Sequence, residues 1–153
     1  MPGGRQQMER VEYYDAKGNL DSKWVDEKAR NTVDKLVPGR DDYGKAKKGD
    51  KRNINAAQLR RFYSEVKTLE RVWKTRCLPK DADENLELAK LLPQLKILKA
   101  KVAYARGREV VPTFFQDWIT AHVNAVNTPK DFQAFLLHFE AVVGFAKQYL
   151  GKD

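Results

Sequence analysis

From Leu59 onward the apolar residues return at intervals of three and four, and that spacing commits most of the chain to α-helix. Leu59, Phe62, Tyr63, Val66, Leu69 and Trp73 fall on one stripe of a helix predicted from 55 to 76, with Asn55 able to cap it. Leu88, Leu91, Leu95, Leu98, Val102 and Ala105 share a face between 83 and 106, and Asp83 can cap that segment. Pro93 lies inside it and lacks the amide for an i→i−4 bond, so the segment is expected to kink there or divide into two helices. Ile97, Ala100 and Tyr104 form a second apolar strip, which predicts a helix packed centrally, and Gly107 suits the position after its end. Phe114, Phe115, Trp118, Ile119, His122, Val123 and Val126 mark a further helix after Val111-Pro112. Thr128-Pro129-Lys130-Asp131 then reads as a strong helix start, with Phe132, Phe135, Leu136, Phe139, Val142, Val143, Ala146 and Leu150 inward and Gly151 at the end.

The N-terminal third carries weaker signals. Residues 22–37 have near-helical spacing through Trp24, Val25, Ala29, Val33, Leu36 and Val37, with Ser22 as the expected cap and Pro38-Gly39 as the stop. Val11–Asp15 followed by Ala16-Lys17-Gly18-Asn19 is compatible with a small strand and turn. Met1–Arg10 is polar and is expected to be disordered. Residues 38–54 form a charged, glycine-containing stretch with little to bury, expected to be a mobile linker. The expected fold is an all-α bundle of about five helices in one domain over 22–153, after a polar segment 1–21.

At 153 residues the chain suits a single domain. No apolar run approaches the ~20 residues of a membrane span, and the N-terminus has no apolar signal region, so an intracellular, cytoplasmic protein is the default expectation. A single cysteine, Cys77, excludes an intramolecular disulfide and a cysteine-based zinc site.

The net charge is +8, with 29 basic and 21 acidic residues, but it is not evenly spread. Residues 45–76 hold 11 basic and 3 acidic residues, and residues 90–108 hold 6 basic and none acidic. The rest of the chain is net negative. Two concentrated blocks point to a face for a polyanion rather than to general solubility. In the first helix Arg60, Lys67, Arg71 and Lys74 form a cationic stripe about 20 Å long at 1.5 Å per residue. Glu65 and Glu70 offset only part of it. Lys47, Lys48, Lys51 and Arg52 precede that stripe, and Lys96, Lys99, Lys101, Arg106 and Arg108 make the second block. Tyr104 either stacks on a base or, more in keeping with its apolar neighbours, packs in the core.

Catalytic chemistry has little to stand on. His122 and His138 lie on different helices beside apolar stripes, which predicts packing or hydrogen-bonding roles. Cys77 follows a helix end and reads as an ordinary thiol. Glu140 has no second carboxylate at a readable spacing, so a salt bridge or hydrogen bond is expected of it. No phosphate-cradling glycine loop, zinc finger, helix-turn-helix signature or RNP-type strand pair is present. No metal or cofactor is expected, and backbone binding without sequence preference is the natural conclusion.

Three blocks occur in order: Ala57-Gln58-Leu59-Arg60-Arg61-Phe62-Tyr63, then Leu98 to Arg108 (LKAKVAYARGR), then Phe132 to Phe145. In these the chain resembles the small helical subunit of type III-A CRISPR effector complexes, the Csm complexes. The resemblance covers about residues 55–150, and its middle block, K-x-A-Y-A-x-G-R, is the most specific. It implies a non-catalytic helical subunit that stacks in several copies along the crRNA–target RNA, beside the backbone and large subunits, and contacts chiefly the RNA backbone. Gln58, Arg60, Arg61, Lys101, Tyr104, Arg106 and Arg108 occupy matching motif positions. Two of these assignments have a structural alternative: Gln58 a hydrogen bond within the bundle, and Arg106 and Arg108 the capping of helix-end carbonyls. A different reading of the whole chain is a protein-interaction adaptor whose basic faces meet acidic partners, with Leu137 and Phe145 as a docking surface.

Overall fold

A computed structural model describes residues 10–151 of the chain. Met1–Arg10, expected to be disordered, therefore lies outside the described residues apart from Arg10. A 3-10 turn spans Ser22–Val25, followed by α1 (Glu27–Leu36), α2 (Ala56–Arg76), α3 (Glu84–Gly107), α4 (Thr113–Ala125) and α5 (Pro129–Leu150). The all-α, five-helix expectation holds, and no helix is long and apolar enough to cross a membrane.

The two long helices start where their sequences say. Asn55 accepts a hydrogen bond from the Gln58 amide and caps α2. Thr128 accepts from the Asp131 amide while the Asp131 carboxylate accepts from the Thr128 amide, a reciprocal box that fixes α5. Two other termini differ from expectation. Asp21, not Ser22, accepts from the Lys23 amide, and the first stretch is a 3-10 turn separated from α1 at Asp26. At the end of α3, Gly107 stays helical and Glu109 takes the left-handed conformation, φ 62°. The Val110 amide then donates back to the Ala105 carbonyl, closing the helix end.

Pro93 does not divide α3, which runs unbroken from Glu84 to Gly107. Pro93 and Ala89 are both exposed, so the carbonyl that loses its partner faces water. The helix is not central, however. Its buried row is Leu88, Leu91, Leu95, Leu98, Val102 and Ala105, whereas the second strip faces solvent, with Ile97 54% and Tyr104 68% exposed. Leu86 is also 54% exposed. At 100° per residue these side chains lie on the side opposite the core.

The core joins all the helices around an aromatic group built on α4 and α5. Trp118, Phe115, Phe135 and Phe139 are fully buried. His122 and His138 stack on each other with ring centroids 4.6 Å apart. Trp118 Nε1 donates to His138 Nε2 at 3.1 Å, and His138 Nδ1 donates to the Trp24 carbonyl at 2.5 Å. Tyr13 Oη and His122 Nδ1 share a hydrogen bond of 2.7 Å. The histidines have the packing and hydrogen-bonding roles expected of them, in one shared cluster that also buries Tyr13 and Trp24.

The segments around the helices are tied down by two turns of the same build. Asp15 and Asp41 each accept, through one carboxylate oxygen, the amides two and four residues later: Lys17 and Asn19, and Tyr43 and Lys45. Each turn closes at a glycine with positive φ, Gly18 at 83° and Gly44 at 76°. Each is flanked by one antiparallel bridge, Tyr14 with Leu20 and Arg40 with Ala46. The N-terminal strand and turn thus exists as a single bridge around its turn. The first turn docks on the start of α5, where Tyr14 Oη donates to the Lys130 carbonyl. The second docks on its end, where the Ala46 amide donates to the Tyr149 carbonyl and Lys45 Nζ to the Gln148 carbonyl. Arg40 lies 3.5 Å from the centre of the Tyr149 ring.

Residues 38–54, read as a mobile linker, have defined anchors in the structure. Asn53 exchanges two hydrogen bonds of 2.8 Å with the Gly39 backbone, and the Ile54 amide donates to the Leu36 carbonyl. A Cβ on Gly39 would lie 1.9 Å from an Asp50 carboxylate oxygen, so a larger residue there would have to displace the Asp50 side chain from its place beside Arg52. Composition does not reveal these anchors because two are side-chain-to-backbone bonds made by Asn, a residue that otherwise reads as a loop former, and the third is a backbone pair.

Candidate nucleic-acid interface

The two basic blocks lie on neighbouring antiparallel helices. Trp73 Nε1 near the end of α2 donates to the Glu84 carbonyl at the start of α3. Midway, Lys101 Nζ of α3 lies 3.1 Å from Glu65 Oε2 of α2. This register sets the first turns of α2, with Gln58, Arg60 and Arg61, beside the last turns of α3, with Tyr104, Arg106 and Arg108.

On α2, Arg60, Arg61, Arg71 and Lys74 are exposed, and Ser64, Thr68 and Thr75 share the outer side with them. Guanidinium groups are suitable donors to phosphate oxygens, whereas the Thr68 and Thr75 hydroxyls already donate to the Ser64 and Arg71 carbonyls of their own helix. Arg71 has no ion-pair partner among the described residues. Lys67 and Lys74 are differently placed, because Glu70 sits between them at 2.6 and 3.4 Å. Burial alone would raise the Glu70 carboxyl, but the hydrogen bond and charge of Lys67, with Lys74 beyond, hold it below its ordinary value. The Lys67 ammonium is raised by the same hydrogen bond. This trio borders a cleft against α5 that includes Tyr63, Leu137 and the exposed Glu140.

The second block divides as well. Lys96, Lys101 and Arg108 are exposed, whereas Lys99 is half-buried and donates to Asn124 of α4 at 2.7 Å. Arg106 is half-buried and donates through Nε to Thr113 Oγ1 at 2.8 Å. Arg106 is therefore held by the start of α4 rather than by the carbonyls ending α3. Tyr104, expected to pack in the core, is exposed, and the Arg108 guanidinium lies 5.9 Å from its ring centre. The correction follows from the angular position of Tyr104, which its apolar neighbours Ile97 and Ala100 share.

Of the loop cations, Lys47 and Lys48 are exposed. Lys51 Nζ lies 3.7 Å from Glu109, and Arg52 pairs with Asp50 at 2.7 Å. The Arg52 hydrogen bonds and charge take the Asp50 carboxyl down to about 2. Gln58 faces inward: its carbonyl oxygen is buried and has no hydrogen-bond partner.

The chain fold also assembles a groove of about 510 Å³ that the sequence did not reveal. Lys35 from α1, Lys51 and Arg52 from the loop, Arg106 from α3 and Phe114 of α4 line it. Lys35 and Phe114 were missed because nothing in their spacing links the last turn of α1 to the first turn of α4. Lys35 Nζ stands 5.6 Å over the Phe114 ring.

Other reactive groups are quiet. Burial, with Glu84, Glu87 and Asp83 nearby, pushes the Cys77 thiol up. Among the described residues no three His, Cys, Asp or Glu side chains are grouped so as to hold a metal ion.

No curated protein and no solved structure matches the chain. A family model described as Csm2 Type III-A matches residues 20–152. That match spans the helical bundle and all three sequence blocks, and the chain belongs to the Csm2 family, the small subunit of type III-A CRISPR complexes.

Proposed function

We propose that this chain is a non-catalytic subunit that holds RNA by its backbone inside a cytoplasmic type III-A effector complex. Several copies stack along the crRNA–target RNA, against the backbone and large subunits. The observation that carries this reading is the outer side of α2, where Arg60, Arg61 and Arg71 lie among Ser64, Thr68 and Thr75. The end of α3 and the loop cations extend it. Such a surface offers positive charge at several points and no set of groups aimed at base edges, so guide pairing reads sequence while protein reads charge and shape. The isolated protein should bind unrelated RNA sequences with equal affinity. Anisotropy with two unrelated oligonucleotides tests this, and a strong preference for one would oppose it.

One observation favours a role in protein docking as well. Leu86, Ile97 and Tyr104 form an exposed apolar strip along the outer side of α3. Co-purification from a native host separates the readings: RNA together with the other complex subunits supports the first, and a protein partner without RNA supports an adaptor.

A further inference from the structure

We infer that the groove between α1, the 38–54 loop and the α3–α4 junction seats one unpaired nucleotide, base on Phe114 and phosphate on the surrounding cations. This rests on the RNA-binding reading and assigns it a site that the helix stripes do not contain.

Three features of the groove select this ligand. Its size, about 510 Å³, falls within the ~300–1,000 Å³ usual for small-molecule sites. Its lining includes an apolar set, the half-buried Phe114 ring with Pro38, Val111 and Pro112, and a base stacking on Phe114 shares that ring with Lys35, whose Nζ stands 5.6 Å from its centre. Every base has a π-face, so such a ring stacks bases without choosing among them. Lys35, Lys51, Arg52 and Arg106, four cations from three separate parts of the chain, line the groove, with Arg52 held by Asp50, Lys51 beside Glu109 and Arg106 anchored through Nε to Thr113. A simple anion would need the cations but not the apolar set, and an apolar ligand the apolar set but not the cations. A nucleoside phosphate uses both.

Glu109 fits the same ligand. It is the carboxylate in the groove lining and the one positive-φ residue other than glycine among the described residues. A carboxylate opposes phosphate but accepts from a sugar hydroxyl or a base N–H. Lys51 at 3.7 Å keeps that carboxylate beside the cations. A paired nucleotide cannot enter, because its base faces are already stacked and its edge is occupied. The groove therefore distinguishes single-stranded from duplex RNA, whereas the outer side of α2 does not.

The test compares the full chain with Phe114→Ala, Phe114→Tyr, Arg106→Gln and Arg71→Glu, using a short single-stranded RNA, the same RNA in duplex, and AMP. Stacking of one base predicts that Phe114→Ala weakens single-strand binding about 5- to 150-fold and leaves duplex binding unchanged. Phe114→Tyr keeps the ring and should bind as the parent does. Arg71→Glu should weaken both RNAs alike. Single-stranded RNA carrying 4-thiouridine should photo-crosslink to Phe114, which reads out the site even if the alanine variant does not fold. If Phe114→Ala and Arg106→Gln bind single strands normally while Arg71→Glu does not, the groove is overturned and the backbone reading stands. If AMP binds at Phe114 but the RNA does not crosslink, the ligand is a free nucleotide and the RNA form is overturned. If the parent protein binds no RNA at low salt, both readings fall.

Discussion

Lys101 of α3 reaches across to Glu65 of α2, 3.1 Å away, and joins the two basic segments of the chain along one helix–helix seam. Glu65 is one of only 3 acidic residues in the first basic segment, 45–76. Glu70, a second, lies between Lys67 and Lys74. The carboxylates of α2 thus orient particular lysines rather than neutralising the face as a whole.

Replacing Glu65 by Gln removes one negative charge from the seam and releases Lys101. RNA binding should tighten by a few-fold at low salt. The pair is partly exposed, so stability should change by less than about 1 kcal/mol. Anisotropy and thermal melting of the same variant check both. Weaker RNA binding would mean that the pair positions Lys101 rather than occupying it.

Acid should loosen the aromatic centre. Burial pushes His138 down to about 4, against the hydrogen bond to Trp24, which raises it, and with Lys28 nearby also lowering it. His122 is held well below its ordinary value by burial, then by His138 and Lys28. In the unfolded chain both titrate near pH 6.5. As pH falls below that value the unfolded state takes up protons first, so stability present at neutral pH is lost progressively toward pH 4. Each histidine withdraws about 1.4 kcal/mol per pH unit over its window. Urea titrations at pH 7 and pH 5 should differ in midpoint in that direction, and His138→Phe should reduce the difference to the part left by His122 while lowering stability overall, because the Trp24 carbonyl and the Trp118 indole N–H lose their partner.

Glu109→Gly should stabilise the fold by about 1 kcal/mol, since glycine adopts positive φ without steric cost. The exposed contact to Lys51 at 3.7 Å contributes little to offset this. A higher melting temperature is expected. An unchanged or lower one would show that the Glu109 side chain stabilises the α3 end.

Gly44→Ala should strain the turn that clamps the end of α5, at a cost of about 1 kcal/mol. Hydrogen exchange should quicken in the loop and in the last turn of α5, around Gln148 and Tyr149, and leave the Thr128 end protected. Uniform loss of protection along α5 would contradict the two-clamp arrangement.

Much of this fold is legible from side-chain periodicity and caps. The starts of α2 and α5 follow from Asn55 and Thr128, and the buried row of α3 from its leucines. What the sequence left hidden is tertiary. Tyr104 and Ile97 look like core residues until α3 is placed at the edge of the bundle. Periodicity records which side chains share a face, not which face is covered. The pairing of His122 with His138 depends on how α4 packs on α5. The candidate interface was legible as two charged blocks. The commitments of Lys67 to Glu70 and Arg106 to Thr113, and the inward turn of Gln58, emerge only from the packed structure.

The most direct measurement is the salt dependence of RNA binding by the parent chain and by a variant with Arg60, Arg61 and Arg71 changed to Glu. The parent should lose affinity linearly on a log–log plot as salt rises. The variant should bind far more weakly and keep its helical circular dichroism. On single strands its slope should be shallower by about 0.7 for each phosphate that the protein no longer neutralises. A slope that is flat in the parent, or identical in a folded variant, would contradict a backbone-binding face on α2.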